Sequence, residues 1–555
     1  MFHIVYPVAA ISASFACAPI QYREVVLLLK DRKLAVNTML LTASGLALRF
    51  VGMVWQIWLV SRIGEAGIGL FQLIMSVAAL AATVAVSGSR YTTTRLVSEE
   101  TGLERPHGAA QALTVCMLYG LFFGLAAGTI LLFLAEPLGF LWLGDARTVR
   151  PLMLLALEMP LTGLDSVMHG YFTAVGRVWK SVCIAIAQQL VTIGITVLLF
   201  TAVPENNLEL ACLAITAGRL IGALLETLAM AVVYMTDRLR YGIRRRRDAA
   251  ELSGMTDRAL SAALPLAAAS YARSGLSTVQ HLLVPRGLRA SGLAAAAAMA
   301  GYGIIQGMAL PVVLFPSCVM VAVAELIVPK LTEQQVRQDT EGIRGISESI
   351  LENGLKYAAI CAALFIALGD SLGMALYHTP DAGVYIRLFA LIVPVMYLDM
   401  LADGCLKGLG EMMFCMYVNI ADAGLSALLV WLLLPHWGLP AYISVICFTE
   451  IFNFVLSILR LRRVAAIRVS LRRTGGILLW AGFSGGAAWL LLHTISAGNG
   501  VPALIFSCVS GLAVYAAGVI SPAGGAGRQA SGKRCRRYSL RTSWRRRSND
   551  RSRRP

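Results

Sequence analysis

Residues 39–62 read MLLTASGLALRFVGMVWQIWLVSR. About 20 apolar residues cross a hydrocarbon core, and this run is long enough to do so. Arg49 nevertheless sits near its middle. An arginine in hydrocarbon costs roughly 3 kcal/mol or more on insertion scales, so it normally faces a bundle interior or a wet cavity rather than lipid. The rest of the chain has to supply that cavity.

The composition agrees with the stretch. The 555 residues are 57% hydrophobic and only 14% charged, with mean hydropathy +0.70. A soluble chain of this size needs far more charge to cover its surface, so the class is an all-α polytopic membrane protein. Apolar windows give fourteen spans: 36–60, 66–87, 109–134, 151–173, 181–203, 208–235, 259–284, 302–327, 353–377, 384–407, 412–434, 439–459, 476–495 and 501–520. With the amino terminus inside, 26 Lys and Arg before the tail fall on the cytoplasmic side and six on the other. That asymmetry places both termini in the cytoplasm. The net charge of +17 is a property of loops and tail, so it does not point to nucleic acid. The run Arg244 to Arg247 is expected to set topology and attract anionic lipid. Eleven cysteines without a C-x-x-C pair give no disulfide framework or metal site. Residues 1–20 lack a basic n-region and contain Pro7 and Pro19, which fits a flexible leader better than a signal peptide.

The two halves of the chain repeat. Gly67-Ile-Gly-Leu-Phe-Gln72 aligns with Gly301-Tyr-Gly-Ile-Ile-Gln306 at an offset of 234 residues. At the same offset Pro160 meets Pro394, Asp165 meets Asp399, Gly170 meets Gly404 and Gly176 meets Gly410. The expected organisation is a cytoplasmic leader (1–35), a first six-helix lobe (36–237), a basic loop (238–258), a second lobe (259–460), a basic loop (461–475), two appended spans (476–520) and a basic, disordered tail (521–555). Six spans per half make this a parallel repeat, and two such lobes leave a central cleft.

At an offset of 224, Arg49 pairs with Arg273 and Gln56 with Gln280. Each lobe thus opens with an arginine and, on the same helix face seven residues later, a glutamine. A guanidinium stays charged and its planar fork suits phosphate oxygens, so these four residues are the expected anion-binding set. Asp165, Asp399 and Asp403 are intramembrane carboxylates and candidates for coupling to protons or sodium, although Asp403 and Lys407 can neutralise each other at i,i+4. Arg219 and Glu450 hold comparable places in spans six and twelve, a candidate cross-lobe pair. Pro160, Pro394, Pro311 and Pro316 interrupt spans and are candidate hinges. His281 stands alone and reads as a satisfied polar residue. No H-E-x-x-H, P-loop or G-x-S-x-G motif stands in a fitting context, so the sequence offers no enzymatic chemistry and calls for no cofactor.

The segments SGLALRFVGMVWQIWLVSRIGEAGIGLFQ, ARSGLSTVQHLLVPRGL and GYGIIQGMALPVVLFPSCVMVAVAELIVPKL resemble the polysaccharide-transport branch of the multidrug/oligosaccharidyl-lipid/polysaccharide exporter superfamily, over about residues 35–520. Within that branch the chain is most similar to the members of endospore formers. The resemblance implies a two-lobed flippase of undecaprenyl-pyrophosphate-linked sugars, with a peptidoglycan precursor of the spore cortex as cargo; cell-wall synthases are candidate partners. Related lipid II flippases carry further charges where this chain has Trp55, Gln306 and Ala309, so the anion-binding set is thinner here. Two rivals remain: a cation-coupled multidrug antiporter of the same fold, and a membrane scaffold for cell-wall synthases.

Overall fold

Glycine decides where the longest helices bend. A computed structural model describes residues 32–103, 106–204, 207–241, 249–468, 471–495 and 501–520. The expected leader up to residue 31, the Arg244 to Arg247 run and the tail from 521 lie outside the described residues. Within them every regular element is helical. In chain order the α-helices are α1 (Arg32–Val86), α2 (Ser89–Gly102), α3 (Pro106–Pro137), α4 (Val149–Ala174), α5 (Val178–Phe200), α6 (Leu208–Tyr241), α7 (Ala249–Ala290), α8 (Ala295–Gly303), α9 (Leu310–Leu314), α10 (Ser317–Val336), α11 (Thr340–Tyr377), α12 (Pro380–Ala390), α13 (Val393–Gly408), α14 (Met412–Ala465), α15 (Leu471–Ile495) and α16 (Val501–Ile520). Wider π-turns occupy Leu138–Leu143 and Ile304–Ala309.

Two of these helices are too long for one crossing. α1 has 55 residues and α14 has 54. Each is broken at a glycine, Gly64 (φ 69°) and Gly438 (φ 59°), in the left-handed region that a Cβ disfavours. Each break separates two of the expected spans. Nine helices among the described residues are long and apolar enough to cross a membrane, or ten if the pair α12 and α13, bent by 56°, is one span. The long helix α7 is not among them. Asp257, Arg258, Arg273, Arg286 and Arg289 dilute its apolar run, which suits a helix facing protein and cavity rather than lipid. The expected span 302–327 is not continuous either, because the chain breaks at Phe315 and Pro316 between α9 and α10.

The lipid-facing surface is apolar, with Phe133 78% exposed, Leu141 70% and Phe483 69%. Chain that carries so much bare hydrocarbon is soluble only in a bilayer. Inside, small residues let backbones touch. Gly120, Gly124 and Gly128 lie on one face of α3 against the α4 backbone at Gly163, Pro160 and Ala156. Pro160 therefore sits inside a glycine-lined, closely packed helix pair of the first half.

The halves meet at a second glycine contact. A Cβ on Gly69 would strike the Met299 carbonyl, and one on Gly303 would strike the Glu65 carbonyl and the Gly69 amide. Gly69 and Gly303 are 234 residues apart, and so are several residues of two apolar clusters at the opposite end of the molecule. One cluster holds Val97, Met168 and Phe172, and the other holds Leu331, Ala402 and Leu406.

Candidate functional site

Below the Gly69/Gly303 crossing lies a cavity of about 540 Å³. The second half of α1 contributes Gln72, Met75, Ser76, Ala79 and Thr83. α7 contributes Ser270, Arg273, Ser274, Ser277, Thr278 and His281, and the α8 region contributes Tyr302 and Gln306. The spacing is that of one helical face on each wall, i, i+3, i+4, i+7 and i+11 along α1 and i, i+3, i+4, i+7, i+8 and i+11 along α7. A polar stripe on a helix that spans hydrocarbon needs a wet or occupied neighbour.

The walls are joined by hydrogen bonds across the halves. Thr83 Oγ1 donates to Ser274 Oγ (3.1 Å), and Thr278 Oγ1 donates to the Ser76 carbonyl (3.0 Å). Tyr302 OH and His281 Nδ1 are 3.1 Å apart. Gln306 Nε2 donates to Tyr442 OH (2.5 Å), which leaves its amide oxygen for a guest. Arg273 is different. It makes no ion pair or hydrogen bond to another described side chain, and Asp422 stands within electrostatic reach of it. Its five N–H donors are free in a hydroxyl- and amide-lined space. The chemistry of these groups is suited to an anionic group at the guanidinium and to hydroxyl-rich matter at the rest.

Of the four expected anion-binding residues, only Arg273 lines the cavity. Arg49 is exposed on α1, close enough to Cys318 at the start of α10 for its charge to be felt there. Gln56 is spent elsewhere: its Nε2 donates to the Gly307 carbonyl at 3.0 Å. Pro311, four residues on, has no N–H to give that carbonyl, so Gln56 replaces the missing helical bond. Gln280 is half-buried on α7 outside the lining. Gln72, Gln306 and His281 take the places by the cavity instead, and their polar-stripe spacing was the available signal.

The expected hinge prolines mark three different local structures. Pro160 lies within continuous α4. Pro394 opens α13 just after the 56° bend. Pro311 follows the π-turn Ile304–Ala309. The carbonyls loosened there find side-chain donors: Tyr377 OH reaches Met308 O (3.3 Å), Tyr397 OH reaches Val313 O (2.7 Å) and Tyr357 OH reaches Pro316 O (3.0 Å). A broken helix survives in a membrane only when neighbours satisfy its backbone in this way.

The carboxylates form two groups away from the cavity lining. Asp165 is 7% exposed on α4, with Glu158, Glu226 and Thr227 around it. Arg219 pairs with Glu158 at 2.8 Å within the first half, which corrects the expected cross-lobe partnership with Glu450. Proximity of α4 and α6 decides that choice, because the two partners face each other along one helix pair. Glu450 belongs with Asp399 and Asp422. Asp399 is 8% exposed with one oxygen unpartnered, and Asp403 lies 3.4 Å from Lys407. No group of three or more His, Cys, Asp and Glu among the described residues is arranged to hold a metal ion.

Comparison with known proteins places this architecture. The family described as Polysaccharide biosynthesis protein matches residues 34–335, more than half of the chain. Stage V sporulation protein B of Bacillus subtilis (strain 168) is 22% identical over 356 residues, which is 64% of this chain and 68% of that protein. The structure titled "Lipid II flippase MurJ, inward closed conformation" superposes with a TM-score of 0.64 at 12% identity, covering 86% of this chain and 98% of that one. An inward-facing multidrug resistance MATE family transporter of the MOP superfamily superposes with a TM-score of 0.56 at 14% identity, covering 77% and 98%. At these identities the superpositions establish the fold. The apolar helices make it a multi-pass membrane protein, and the chain belongs to the family described as Polysaccharide biosynthesis protein.

Proposed function

We propose that this protein moves a lipid-linked sugar precursor across the cytoplasmic membrane by alternating access of its two halves. The observation that carries the reading is Arg273, a guanidinium without a side-chain partner in a cavity otherwise lined by hydroxyls and amides. That chemistry suits a phosphate-bearing, sugar-rich head, with the polyprenyl tail left in lipid. A cavity of this volume lies within the range of small-molecule sites. The family assignment, the similarity to a sporulation protein and the fold shared with a lipid II flippase support a peptidoglycan precursor of the spore cortex as cargo. Both termini lie in the cytoplasm in this reading. The basic loops on that side meet anionic lipid headgroups, and cell-wall synthases are the expected neighbours.

The test is reconstitution into vesicles with labelled undecaprenyl-pyrophosphate sugars, scoring their passage between leaflets. The wild-type chain accelerates passage, and Arg273→Ala lowers the rate about tenfold to a hundredfold, the worth of a charge-assisted hydrogen bond of about 1.5–3 kcal/mol. Equal passage in empty and protein-bearing vesicles overturns the reading. A drug exporter of the same fold would instead transport organic cations, and the free cation in the cavity opposes that rival.

A further inference from the structure

Five ionisable side chains line the seam between α4 and α6, and none of them touches the cavity. Glu158, Asp165 and His169 are spaced i, i+7 and i+11 on α4, and Arg219 and Glu226 are spaced i and i+7 on α6. The two helices therefore face each other as a ladder. One rung is Arg219 Nη2 to Glu158 Oε1 at 2.8 Å, and another is His169 Nε2 to Glu226 Oε1 at 3.1 Å. Asp165 stands between the rungs. It is 7% exposed, and its Oδ1 is buried without a hydrogen-bond partner. The adjacent Thr227 hydroxyl lies beside the carboxylate but also donates to the Ala223 carbonyl at 2.9 Å, so Oδ1 stays without a donor.

The charge balance is incomplete. The Arg219–Glu158 pair is neutral, and Asp165 and Glu226 leave two further negative charges against one histidine. An unpaired buried carboxylate is costly, so the seam calls for added positive charge. Among the described residues, the other elements around α4 bring no cation to Asp165. The α1/α2 junction and α3 present the hydroxyls of Ser87, Ser89 and Tyr119, the Arg90 side chain is exposed, and α5 brings Gln188 and Thr192 against Gly222. A bare metal ion has too few ligands here. A proton needs only one lone pair, and Asp165 Oδ1 has it.

A route leads from this seam to the cavity wall. Ser166, next to Asp165, accepts a hydrogen bond from Ser89 Oγ at 3.0 Å. Ser87, two residues earlier and in the left-handed turn between α1 and α2, contacts Tyr119 OH at 2.9 Å and accepts from Tyr271 OH. Tyr271 lies two residues from Arg273 on the helix of the other half.

We propose that Asp165, with Glu226 and His169, is a proton-binding site in the first half of the chain, and that its loading reaches the cavity wall through the Ser166–Ser89 and Ser87–Tyr271 contacts. Uptake of one proton from water onto Asp165 Oδ1 converts a buried carboxylate into a neutral carboxyl and removes its repulsion with the nearby Glu226. The site extends the export cycle proposed above and does not depend on which cargo is carried.

The experiment uses the full chain in vesicles without any lipid-linked sugar, so it reads independently of transport. Infrared difference spectra are recorded from about pH 8 to about pH 5 in potassium buffer. The wild type is expected to gain a protonated-carboxyl signal accompanied by a tyrosine band. Asp165→Asn loses one carboxyl component and Asp165→Glu keeps it, with the helical amide signal of the same spectra reporting folding. Glu226→Gln shifts the midpoint of that component, whereas Asp422→Asn in the second half leaves it in place. Tyr271→Phe keeps the carboxyl component and loses the tyrosine band. An unchanged carboxyl signal in folded Asp165→Asn overturns the proton site. So does loss of the signal at fixed pH when sodium replaces potassium, which assigns the seam to sodium. A tyrosine band that persists in Tyr271→Phe overturns the route.

Discussion

At the scale of single residues, a free charge carries more information than a paired one. Arg273 has its donors available in the cavity, whereas Arg49 sits by Cys318 outside it, although the repeat expected from the sequence pairs them. The neutral residues of the cavity should also contribute. Gln72→Ala and Gln306→Ala are each expected to weaken binding of a labelled lipid-linked sugar about fivefold, the worth of one hydrogen bond near 1 kcal/mol, in equilibrium binding to the purified chain. Arg49→Ala in the same assay should change affinity by less than about threefold. A larger loss for Arg49 than for Arg273 would show that the head group binds at the Cys318 side instead. Arg273 was legible in the sequence because a charge inside an apolar run has no cheap explanation. Gln72 and His281 were legible only as members of a polar stripe, which does not by itself mark a site, since a neutral polar side chain in a helix is easily satisfied locally. Their role depends on α1 and α7 lying side by side, which no local pattern encodes.

At the scale of elements, the broken helix from α8 to α10 is the most dependent on its neighbours. Its π-turn and two prolines release carbonyls that Gln56, Tyr377, Tyr397 and Tyr357 then satisfy. The sequence announced the break through Pro311 and Pro316, but not the donors, which come from α1, α11 and α13. The Gln56–Pro311 relation makes a double-mutant cycle informative. Gln56→Leu should destabilise the protein by about 0.5–2 kcal/mol, since it orphans the Gly307 carbonyl. Pro311→Ala restores an N–H four residues beyond that carbonyl. In that background Gln56→Leu should cost less than half as much, a coupling of about 0.5 kcal/mol or more. Thermal unfolding of the four proteins in detergent measures it, and equal costs in both backgrounds would remove Gln56 from this role. The breaks at Gly64 and Gly438 fall between expected spans, but the residue that makes each was not legible, because the sequence gives glycine equally to helix contacts such as Gly124.

At the scale of the whole molecule, α7 is a second-half helix fastened to the first half at both ends. Near its start Arg258 Nη2 lies 2.6 Å from Glu99 Oε2, and its Nη1 lies 3.0 Å from buried Glu100. Near its end Arg286 donates to the Leu141 carbonyl and its guanidinium lies 5.4 Å from the Trp142 ring centre. The Gly69/Gly303 crossing closes the same end. Two closures at opposite ends of one cavity are what alternating access requires, provided that they open one at a time. They differ in kind. The Arg258 end is held by ion pairs, which water can replace, whereas the other end adds to its Arg286 contacts a backbone crossing, which water cannot replace. An exposed ion pair is worth little, but Glu100 is buried and loses its partner when Arg258 is removed. Arg258→Ala is therefore expected to open that end preferentially. In a cysteine-free background, Ser274→Cys in the cavity should react with a membrane-impermeant thiol reagent about tenfold faster from the Arg258 side once Arg258→Ala is added. Its rate from the Gly303 side should not change. Gly303→Ala places a methyl group against the Glu65 carbonyl, so it should raise the rate from the Gly303 side instead. If either substitution raised both rates together, the two closures would not be independent, and the cavity would be opened by loosening of the whole bundle rather than by a gate.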